Sequence, residues 1–256
     1  MPSSPRIDLN ADLGEAFGAW DMGADAEILP FVTSINVACG FHAGDPRVIE
    51  RTIAAARRAG VAVGAHPGHL DLRGFGRRTI VVEPGEIEAD VVYQVGAVSA
   101  FAREGGGRLV HVKPHGALYN QAARDESLAR AIARGVARVD PRLILVGLAS
   151  SEPMRRAAEA AGLRYAAEAF CDRAYNKDGT LRSRSERGSV IADTAAAAAQ
   201  AVGIVRDGVI ATEGAQVPVR VDTLCLHGDT PQAAEIARAV RAALEAAGVA
   251  VRPLDR

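Results

Sequence analysis

Histidine, lysine and carboxylate residues recur along this chain in short polar segments, each directly after a run of Val, Ile, Leu or Ala. Imidazole, ammonium and carboxylate groups bind metal ions, hold anions and transfer protons, so this pattern predicts an enzyme. The segments are IDLNADLGE, NVACGFHAGD around His42, VGAHPGHLD around His66 and His69, LVHVKPHGALYN around His111 and His115, EAFCDRAY, and LCLHGD ending at Asp229.

The first segment is an acidic cluster. In an extended strand, Asp8, Asn10 and Asp12 point to one face because side chains alternate with a period of two, and Glu15 follows closely. Three such groups on one face suit a cation, or a general base whose pKa is raised by its neighbours. The alternative is structural, with Asp12 capping a turn and Asn10 bonded to the backbone.

Two histidine segments follow. His42 precedes Asp45 by three residues in a loop between a strand and a helix, and Asp45 is either a catalytic carboxylate or the cap of a helix that starts at Pro46. His66 comes directly after a strand. Its HxxH spacing with His69 is a weak metal signal, because no helix places both on one face, and we interpret His69 as incidental.

The run HVKPHGALYN contains the strongest signal. His111, Lys113 and His115 alternate onto one side of an extended segment. A lysine and a histidine that face carboxylates can bind a carboxylate or phosphate and relay protons, whereas His111, deeper in the strand, is interpreted as a hydrogen-bonded core residue. A lysine directed inward needs a partner.

Two later segments repeat the pattern. Glu168, Asp172 and Arg173 follow another strand, where they form either a functional group or an ordinary solvated ion-pair group. His227 and Asp229 stand in the same position after the last strand.

Alternating strands and helices must position these groups. Polar groups that follow successive strands are typical of an α/β barrel with one shared active site, wound right-handed. The predicted strands are Ile7–Asn10, Ser34–Ala38, Val61–Ala65, Leu109–Val112, Leu143–Leu148, Arg164–Ala167 and Thr223–Leu226. The predicted helices are Pro46–Ala59, Pro84–Arg103, Arg124–Arg138, Glu152–Ala161, Asp193–Arg206 and Pro231–Ala247.

Composition limits the class further. The 256 residues fit one barrel domain, 1–256, and the 48% apolar and 24% charged residues are usual for a soluble globular protein. A net charge of −1 argues against a nucleic-acid or anionic-membrane partner. No segment approaches the roughly 20 apolar residues of a membrane span, and no signal-peptide pattern is present. Three scattered cysteines, Cys39, Cys171 and Cys225, indicate reduced thiols and a cytoplasmic location.

Several long segments resemble signature sequences of the LamB/YcsF family: IDLNADLGEAFG, NVACGFHAGDP, GAHPGHLDLRGFGRR, VKPHGALYN, EAFCDRAYNKDGTLRSR and CLHGDTP. The resemblance covers about Ile7 to Pro231. It implies a (β/α) barrel of seven parallel strands, similar to the glycoside hydrolase/deacetylase fold. It also implies hydrolysis of 5-oxo-L-proline to L-glutamate, coupled to ATP hydrolysis with Mg²⁺, in a complex with 5-oxoprolinase subunits B and C.

The implied reaction can be matched to residues. Opening a lactam needs a nucleophilic water, oxyanion stabilisation and a proton for the leaving nitrogen. The chain has no GxxxxGK[ST] phosphate loop, so we hypothesise that the partner subunits contribute to activation and that this barrel opens the activated ring. Asp12 or Asp45 would be the base, His115 the acid or oxyanion donor, and Lys113 and Arg77 the groups that hold the substrate carboxylate or phosphate.

The remaining predicted site residues fall into two sets. The substrate-binding set, besides Arg77, consists of Asn10, Glu168, Arg173 and His227. A divalent metal ion in the barrel is left open, with Asp8, Asp12, His42 and His66 as its candidate ligands.

Two other functions remain open at this point. The chain could be a stand-alone metal-dependent deacetylase or amidase, which tight zinc binding and ATP-independent hydrolysis of an acetylated substrate would support. It could instead be a non-catalytic binding subunit, although the density of titratable groups at strand ends argues against this.

Overall fold

The computed structural model describes residues 5–104, 106–184, 186–212, 214–228 and 232–255. The strands in these residues are β1 (Arg6–Leu13), β2 (Ser34–Ala38), β3 (Ala62–His66), β4 (His111–Val112), β5 (Ile144–Leu148), β6 (Arg164–Phe170), β7 (Val209–Thr212), β8 (Ala215–Pro218), β9 (Thr223–Leu226) and β10 (Ala250–Val251). The α-helices are α1 (Asp25–Ile28), α2 (Pro46–Arg58), α3 (Pro84–Glu104), α4 (Gly116–Ala122), α5 (Glu126–Val139), α6 (Glu152–Ala160), α7 (Thr194–Asp207) and α8 (Ala233–Ala246), and a 3-10 turn spans Leu29–Phe31.

Seven parallel strands close into a barrel. Strands β1 to β6 pair in chain order, and β9 pairs with both β6 and β1, so the ring is complete. Strand β10 extends β1 outside the ring, and β7 and β8 form a separate antiparallel hairpin. The predicted α/β barrel of seven parallel strands is therefore confirmed.

The helices cover the outside of the barrel with their apolar faces. In α2, Val48, Ile49 and Ile53 recur on one face and are buried, while the opposite face carries arginines. Proline at the first position starts this helix, and Gly60, in a left-handed conformation with φ of 70°, follows its end. None of the helices in the described part of the chain combines the length and apolar composition that crossing a membrane requires.

Most predicted elements are present with shifted ends. Strands β1 and β6 run three residues further than predicted, so Asp12 and Glu168 lie inside strands and not after them. The helix predicted from Pro231 begins at Ala233 in the described residues, and Asp229 and Pro231 lie outside them. Helices α1 and α4, the β7–β8 hairpin and strand β10 were not predicted from the sequence.

Gly64 in β3 lies where the barrel interior is most crowded. A Cβ atom at this position would overlap the imidazole ring of His111, which is buried and bonded through Nε2 to Oδ1 of Asn36 at 2.7 Å. We expect Gly64→Ala to lower the free energy of unfolding by about 1–3 kcal/mol, as overpacked core substitutions do. Urea unfolding followed by circular dichroism measures this change.

Gly96→Ala in α3 is the matched control, since nothing lies within 4 Å of its Cβ position. Alanine is the better helix former there, so this variant should be stabilised by up to about 1 kcal/mol. Equal unfolding midpoints for Gly64→Ala and the wild type would contradict the crowding at Gly64.

Candidate active site

A cavity of about 790 Å³ opens at the carboxyl ends of the barrel strands. Its volume is within the range of about 300–1,000 Å³ that small-molecule sites occupy, and this end is where barrel enzymes place their chemistry. Asp12, Lys113 and His227 line its inner part. Arginines from the surrounding loops also line it, namely Arg77, Arg124, Arg173, Arg182 and Arg184. The arginines of the cavity walls favour an anionic ligand.

A buried charge network lies at the floor of the cavity. Nζ of Lys113 is 3.0 Å from Oδ1 of Asp12 and 3.0 Å from Oε1 of Glu168, and it donates to Sγ of Cys225 at 3.0 Å. Burial opposes the charge of Lys113, but Asp12, Cys225 and Glu168 hold the lysine pKa well above its usual range. Burial likewise opposes the charge of Asp12, but the neighbouring His66 and Lys113 hold the carboxyl pKa well below its usual range.

An amide network supports Asp12 from below. Asn36 donates through Nδ2 to Oδ1 of Asp12 at 2.8 Å and to Oδ1 of Asn10 at 2.7 Å. His111 Nε2 bonds to Oδ1 of Asn36, and burial lowers the pKa of His111 to about 3, so the ring is neutral and donates. His111 is thus a hydrogen-bonded core residue, as predicted. Asn36 was missed, although it is a polar residue within the apolar run of β2.

Asn10 and Glu168 were predicted to bind substrate, but they do not line the cavity. Asn10 donates through Nδ2 to Glu168 at 3.0 Å and to Oγ1 of Thr223 at 2.7 Å, so its amide is used within the core. Glu168 is completely buried beneath Lys113. Its role is to balance the lysine charge, because an unpaired buried cation is costly.

Asp8 lies deeper still, away from the histidines with which it was grouped as a metal ligand. Its carboxyl group accepts hydrogen bonds from the hydroxyls of Thr33 at 2.8 Å, Ser34 at 2.8 Å and Thr223 at 2.6 Å. Burial raises the pKa of Asp8 to about 6, in spite of these hydrogen bonds. The structure therefore removes Asp8 from the candidate metal ligands.

The raised pKa of Asp8 predicts a pH-dependent contribution to stability. Between the ordinary aspartate pKa of 3.8 and about 6, the folded chain binds more protons at Asp8 than the unfolded chain does. The stabilising contribution is therefore full below pH 3.8 and is lost as the pH rises through 6. Relative to Asp8→Asn, the wild type should lose about 3 kcal/mol of unfolding free energy between about pH 4 and pH 7.

Urea unfolding of both proteins across this pH range measures the difference between their unfolding free energies. The contributions of other titrating groups cancel in this difference because both proteins contain them. Asp21→Asn, at a carboxylate whose side chain is 95% exposed, serves as the control. A wild type and Asp8→Asn difference that did not change with pH would contradict the raised pKa.

Three histidines and a glutamate form a second cluster beside Asp12. Glu15 follows β1, His42 lies in the loop after β2, His66 ends β3 and His115 follows β4, and one donor atom of each lies within 4.8 Å of the others. All four are buried, and burial holds the pKa of His42 and of His115 well below the usual histidine value.

The cluster differs from the predicted metal set. It retains His42 and His66, adds Glu15 and His115, and has Asp12 at its edge, with Oδ2 of Asp12 3.3 Å from Nε2 of His66. Imidazole nitrogens and a carboxylate are ligand types that hold divalent metal ions. His69 lies outside the cluster, where its Nε2 meets Oε1 of Gln121 at 2.8 Å.

His227 and Asp172 form a pair at the opposite side of the floor. Asp172 accepts from the backbone N–H of His227 at 2.9 Å and lies 2.9 Å from its Nδ1. The imidazole stacks on Phe170 with ring centroids 5.4 Å apart. Burial opposes the charge of Asp172, but His227 holds the carboxyl pKa below its usual value. A carboxylate that fixes Nδ1–H leaves Nε2 as the reactive nitrogen, as in acid–base dyads.

Arg77 and Arg173 both line the cavity, in keeping with their predicted role. Arg77 is exposed and its guanidinium lies 4.9 Å from the Phe75 ring centre. Arg173 is buried and donates to the carbonyls of Ser189 at 3.1 Å and Arg182 at 2.6 Å, so it also fixes the loop after β6. Burial lowers the pKa of Arg173 to about 10.

Asp45 is not part of the cavity. Its Oδ1 accepts from the N–H groups of Arg47 at 2.8 Å and Val48 at 3.0 Å, and its Oδ2 accepts from Gly18 at 2.8 Å. The residue is the N-cap of α2, and these backbone donors lower the pKa of its carboxyl group. Of the two interpretations of Asp45, the structure supports the cap and not the catalytic base.

Comparisons with known proteins agree with this geometry. The sequence model of the LamB/YcsF family matches residues 7–256. A protein of Heliobacterium modesticaldum, named as the A subunit of 5-oxoprolinase, is 53% identical over 248 residues, which cover 96% of this chain and 97% of that protein. A protein of the same name from Methylococcus capsulatus is 55% identical, covering 97% and 95%.

Solved structures give the same result. The crystal structure of a lactam utilization protein from Thermus thermophilus is 52% identical, covers 97% of this chain and 100% of that one, and superimposes with a TM-score of 0.92. A putative cellobiose-phosphate cleavage protein from Enterococcus faecalis, 13% identical with a TM-score of 0.57, shares the fold alone.

Proposed function

This chain belongs to the LamB/YcsF family, and we propose that it is the ring-opening component of an ATP-dependent 5-oxoprolinase that hydrolyses 5-oxo-L-proline to L-glutamate. The observation behind this proposal is identity above 50% over nearly the whole length of proteins named as the A subunit of 5-oxoprolinase. The cavity supports it, since a small anionic lactam needs a positive rim and a buried acid–base floor.

The cavity residues have distinct roles in this proposal. The ammonium of Lys113, whose N–H groups already contact Asp12, Glu168 and Cys225, acts through its charge. It stabilises the negative charge on the oxygen that water adds to the activated ring carbon. His227, with Nδ1 held by Asp172, takes the proton of the water through Nε2 and returns it to the leaving ring nitrogen. The ionised Asp12 accepts a hydrogen bond from the water and orients it.

His227 replaces His115 as the proposed acid. Nε2 of His115 lies 2.9 Å from the carbonyl oxygen of Phe75, so its N–H is already donated, and Nδ1 faces His66 at 3.0 Å. Arg77 and Arg173 keep their proposed role of binding the substrate carboxylate or an attached phosphate.

Activation by ATP is assigned to the whole complex. The chain has no GxxxxGK[ST] sequence. Phosphorylation of the amide oxygen would make the ring carbon a better electrophile. Addition of water and cleavage of the C–N bond would then give an acyl phosphate, and its hydrolysis by a second water would release phosphate and L-glutamate. We therefore propose that the B and C subunits of 5-oxoprolinase contribute to ATP-dependent activation, with Mg²⁺ accompanying the nucleotide. The relatives are named as one lettered component of an enzyme, which supports the existence of partner chains.

The test measures glutamate release from 5-oxoproline with ATP and magnesium. The samples are this chain alone, its co-expressed B and C subunits alone, and all three together. Glutamate only from the full mixture is the expected result. Glutamate from B and C alone would overturn the catalytic role of this chain, and none from a verified complex would favour an ATP-independent amidase.

A further inference from the structure

The orientation of two histidines points to a bound cation in the cluster of Glu15, His42, His66 and His115. Nδ1 of His66 lies 2.7 Å from the carbonyl oxygen of Lys113, and Nε2 of His115 lies 2.9 Å from that of Phe75. A carbonyl oxygen only accepts hydrogen bonds, so each of these nitrogens carries the ring proton. The opposite nitrogens, Nε2 of His66 and Nδ1 of His115, therefore present lone pairs, and they face each other at 3.0 Å.

Two facing lone pairs repel unless a positive charge lies between or beside them. Backbone carbonyls that fix the outer nitrogen and aim the inner one are the usual surroundings of metal-binding histidines. A shared proton is the other arrangement that would satisfy this pair, and it would place a buried imidazolium 3.3 Å from the Asp12 carboxylate.

His42 supplies the second, independent observation. Its side chain is completely buried, and among the residues that the structure describes neither of its ring nitrogens has a hydrogen-bond partner. The ring stacks on His115 with centroids 3.7 Å apart and planes at 3°. A buried polar ring without a partner is unfavourable, and coordination through Nε2 would satisfy it.

The donor spacing fits one ion. Oε1 of Glu15 lies 3.5 Å from Nε2 of His42 and 3.4 Å from Nδ1 of His115. A tetrahedral ion with bonds of about 2.0–2.1 Å has donor–donor edges of about 3.3–3.4 Å. Three of the six donor–donor edges, at 3.0, 3.4 and 3.5 Å, bracket this value, and all four donor atoms lie within 4.8 Å of one another.

The backbone nearby is shaped around the rings. A Cβ on Gly68 would lie 2.6 Å from Nδ1 of His42, and a Cβ on Gly76 would lie 2.8 Å from both His42 and His115. Gly76 also has φ of 60°, which favours glycine. These two glycines let the loop after β3 close over the cluster.

We infer that Glu15, His42, His66 and His115 bind a divalent first-row transition ion such as Zn²⁺. Three imidazoles and one carboxylate favour such an ion over Mg²⁺, which prefers oxygen ligands and bound water. Asp12, 3.3 Å from His66, connects this site to the charged floor of the cavity. The inference concerns binding by this chain alone and does not depend on the identity of the substrate.

The test is metal binding by the purified full-length chain. After chelator treatment and dialysis, Zn²⁺ is titrated against a chromophoric competitor, and Co²⁺ is added separately to record its visible absorption. We expect one equivalent of Zn²⁺ and a Co²⁺ spectrum typical of four-coordinate nitrogen and oxygen ligation. His42→Gln should weaken Zn²⁺ binding at least about 100-fold, since even outer partners of metal ligands contribute about 10–100-fold.

His69→Gln is the matched control, because His69 is buried nearby but bonds to Gln121 outside the cluster. It should bind Zn²⁺ as the wild type does.

If His42→Gln does not fold, the Co²⁺ spectrum and the histidine ¹⁵N shifts of the wild type still show whether the cluster binds a metal ion. Equal affinity of folded His42→Gln and wild type, or ¹⁵N shifts of a shared proton that Zn²⁺ leaves unchanged, would overturn the inference. Neither result bears on whether the assembled complex releases glutamate.

Discussion

Replacing Lys113 with methionine is expected to lower the free energy of unfolding by about 3–5 kcal/mol, because it leaves two buried carboxylates without a counter-charge. Asp12 and Glu168 both lie 3.0 Å from the lysine Nζ, and Glu168 is completely buried. Methionine keeps the length and apolar stem of the side chain, so most of the loss is electrostatic. Urea unfolding at neutral pH measures it.

The same variant should abolish most glutamate release by the assembled complex. Loss of one preformed group that stabilises an oxyanion typically costs about 10²–10³ in kcat. Adding Glu168→Gln to Lys113→Met should restore part of the stability, because one unpaired charge is removed, but it should restore no activity. This separation distinguishes a catalytic lysine from one that only holds the barrel together.

Lys177→Met is the matched control, since Lys177 is exposed on the loop after β6. Both stability and activity should remain near the wild-type values, as surface charges contribute at most about 1 kcal/mol. Full activity of folded Lys113→Met in the complex would rule out the proposed oxyanion role.

The sequence predicted the barrel and the shared face of the polar residues in and just after β1 and β4, but not the depth of each residue along its strand. Asp8, Asn10 and Asp12 alternate on one face as expected, yet only Asp12 reaches the cavity. Depth depends on how the strands tilt and stagger around the ring, and spacing within one strand does not specify this. The same limit explains why Glu168 was expected at the cavity and lies beneath it.

Local ambiguity and loop geometry account for the other differences. The sequence of an Asp before Pro at a helix start does not distinguish a helix cap from a catalytic base. In the structure, Asp45 caps α2. Glu15, His42 and His115 lie in the loops after β1, β2 and β4, so their approach to His66 at the end of β3 depends on loop conformations. Asp172 follows β6 and His227 follows the neighbouring strand β9, so their pairing depends on the three-dimensional fold and not on sequence spacing.

Replacing Asp172 with asparagine is expected to lower kcat of the assembled complex by about 10²–10⁴ while the chain remains folded. The carboxylate accepts from the backbone N–H and faces Nδ1 of His227, both at 2.9 Å. Both contacts involve Oδ2, while Oδ1 lies 3.1 Å from Nδ1, so an asparagine oxygen can still accept from the backbone N–H. The substitution puts an NH₂ group in place of Oδ1 and removes the negative charge that stabilises the imidazolium formed when Nε2 takes a proton from water.

Turnover and binding should respond differently to Asp172→Asn. The KM for 5-oxoproline should change little, because Asp172 does not line the cavity, whereas kcat carries the loss. His227→Gln should give a similar loss, and the double variant should be no worse than either single one, because the two residues act as a unit. The ¹⁵N shifts of His227 should report the altered hydrogen bonding at Nδ1 directly.

Asp178→Asn provides the matched control for this substitution. Asp178 lies on the same loop after β6, is exposed, and bonds only locally to the backbone and hydroxyl of Thr180 among the described contacts. It should turn over as the wild type does. If Asp172→Asn kept wild-type kcat, or if its loss simply added to that of His227→Gln, the dyad would not be the acid–base pair. The proton would then have to come from Asp12 or a partner chain, because His115 already donates its N–H to Phe75.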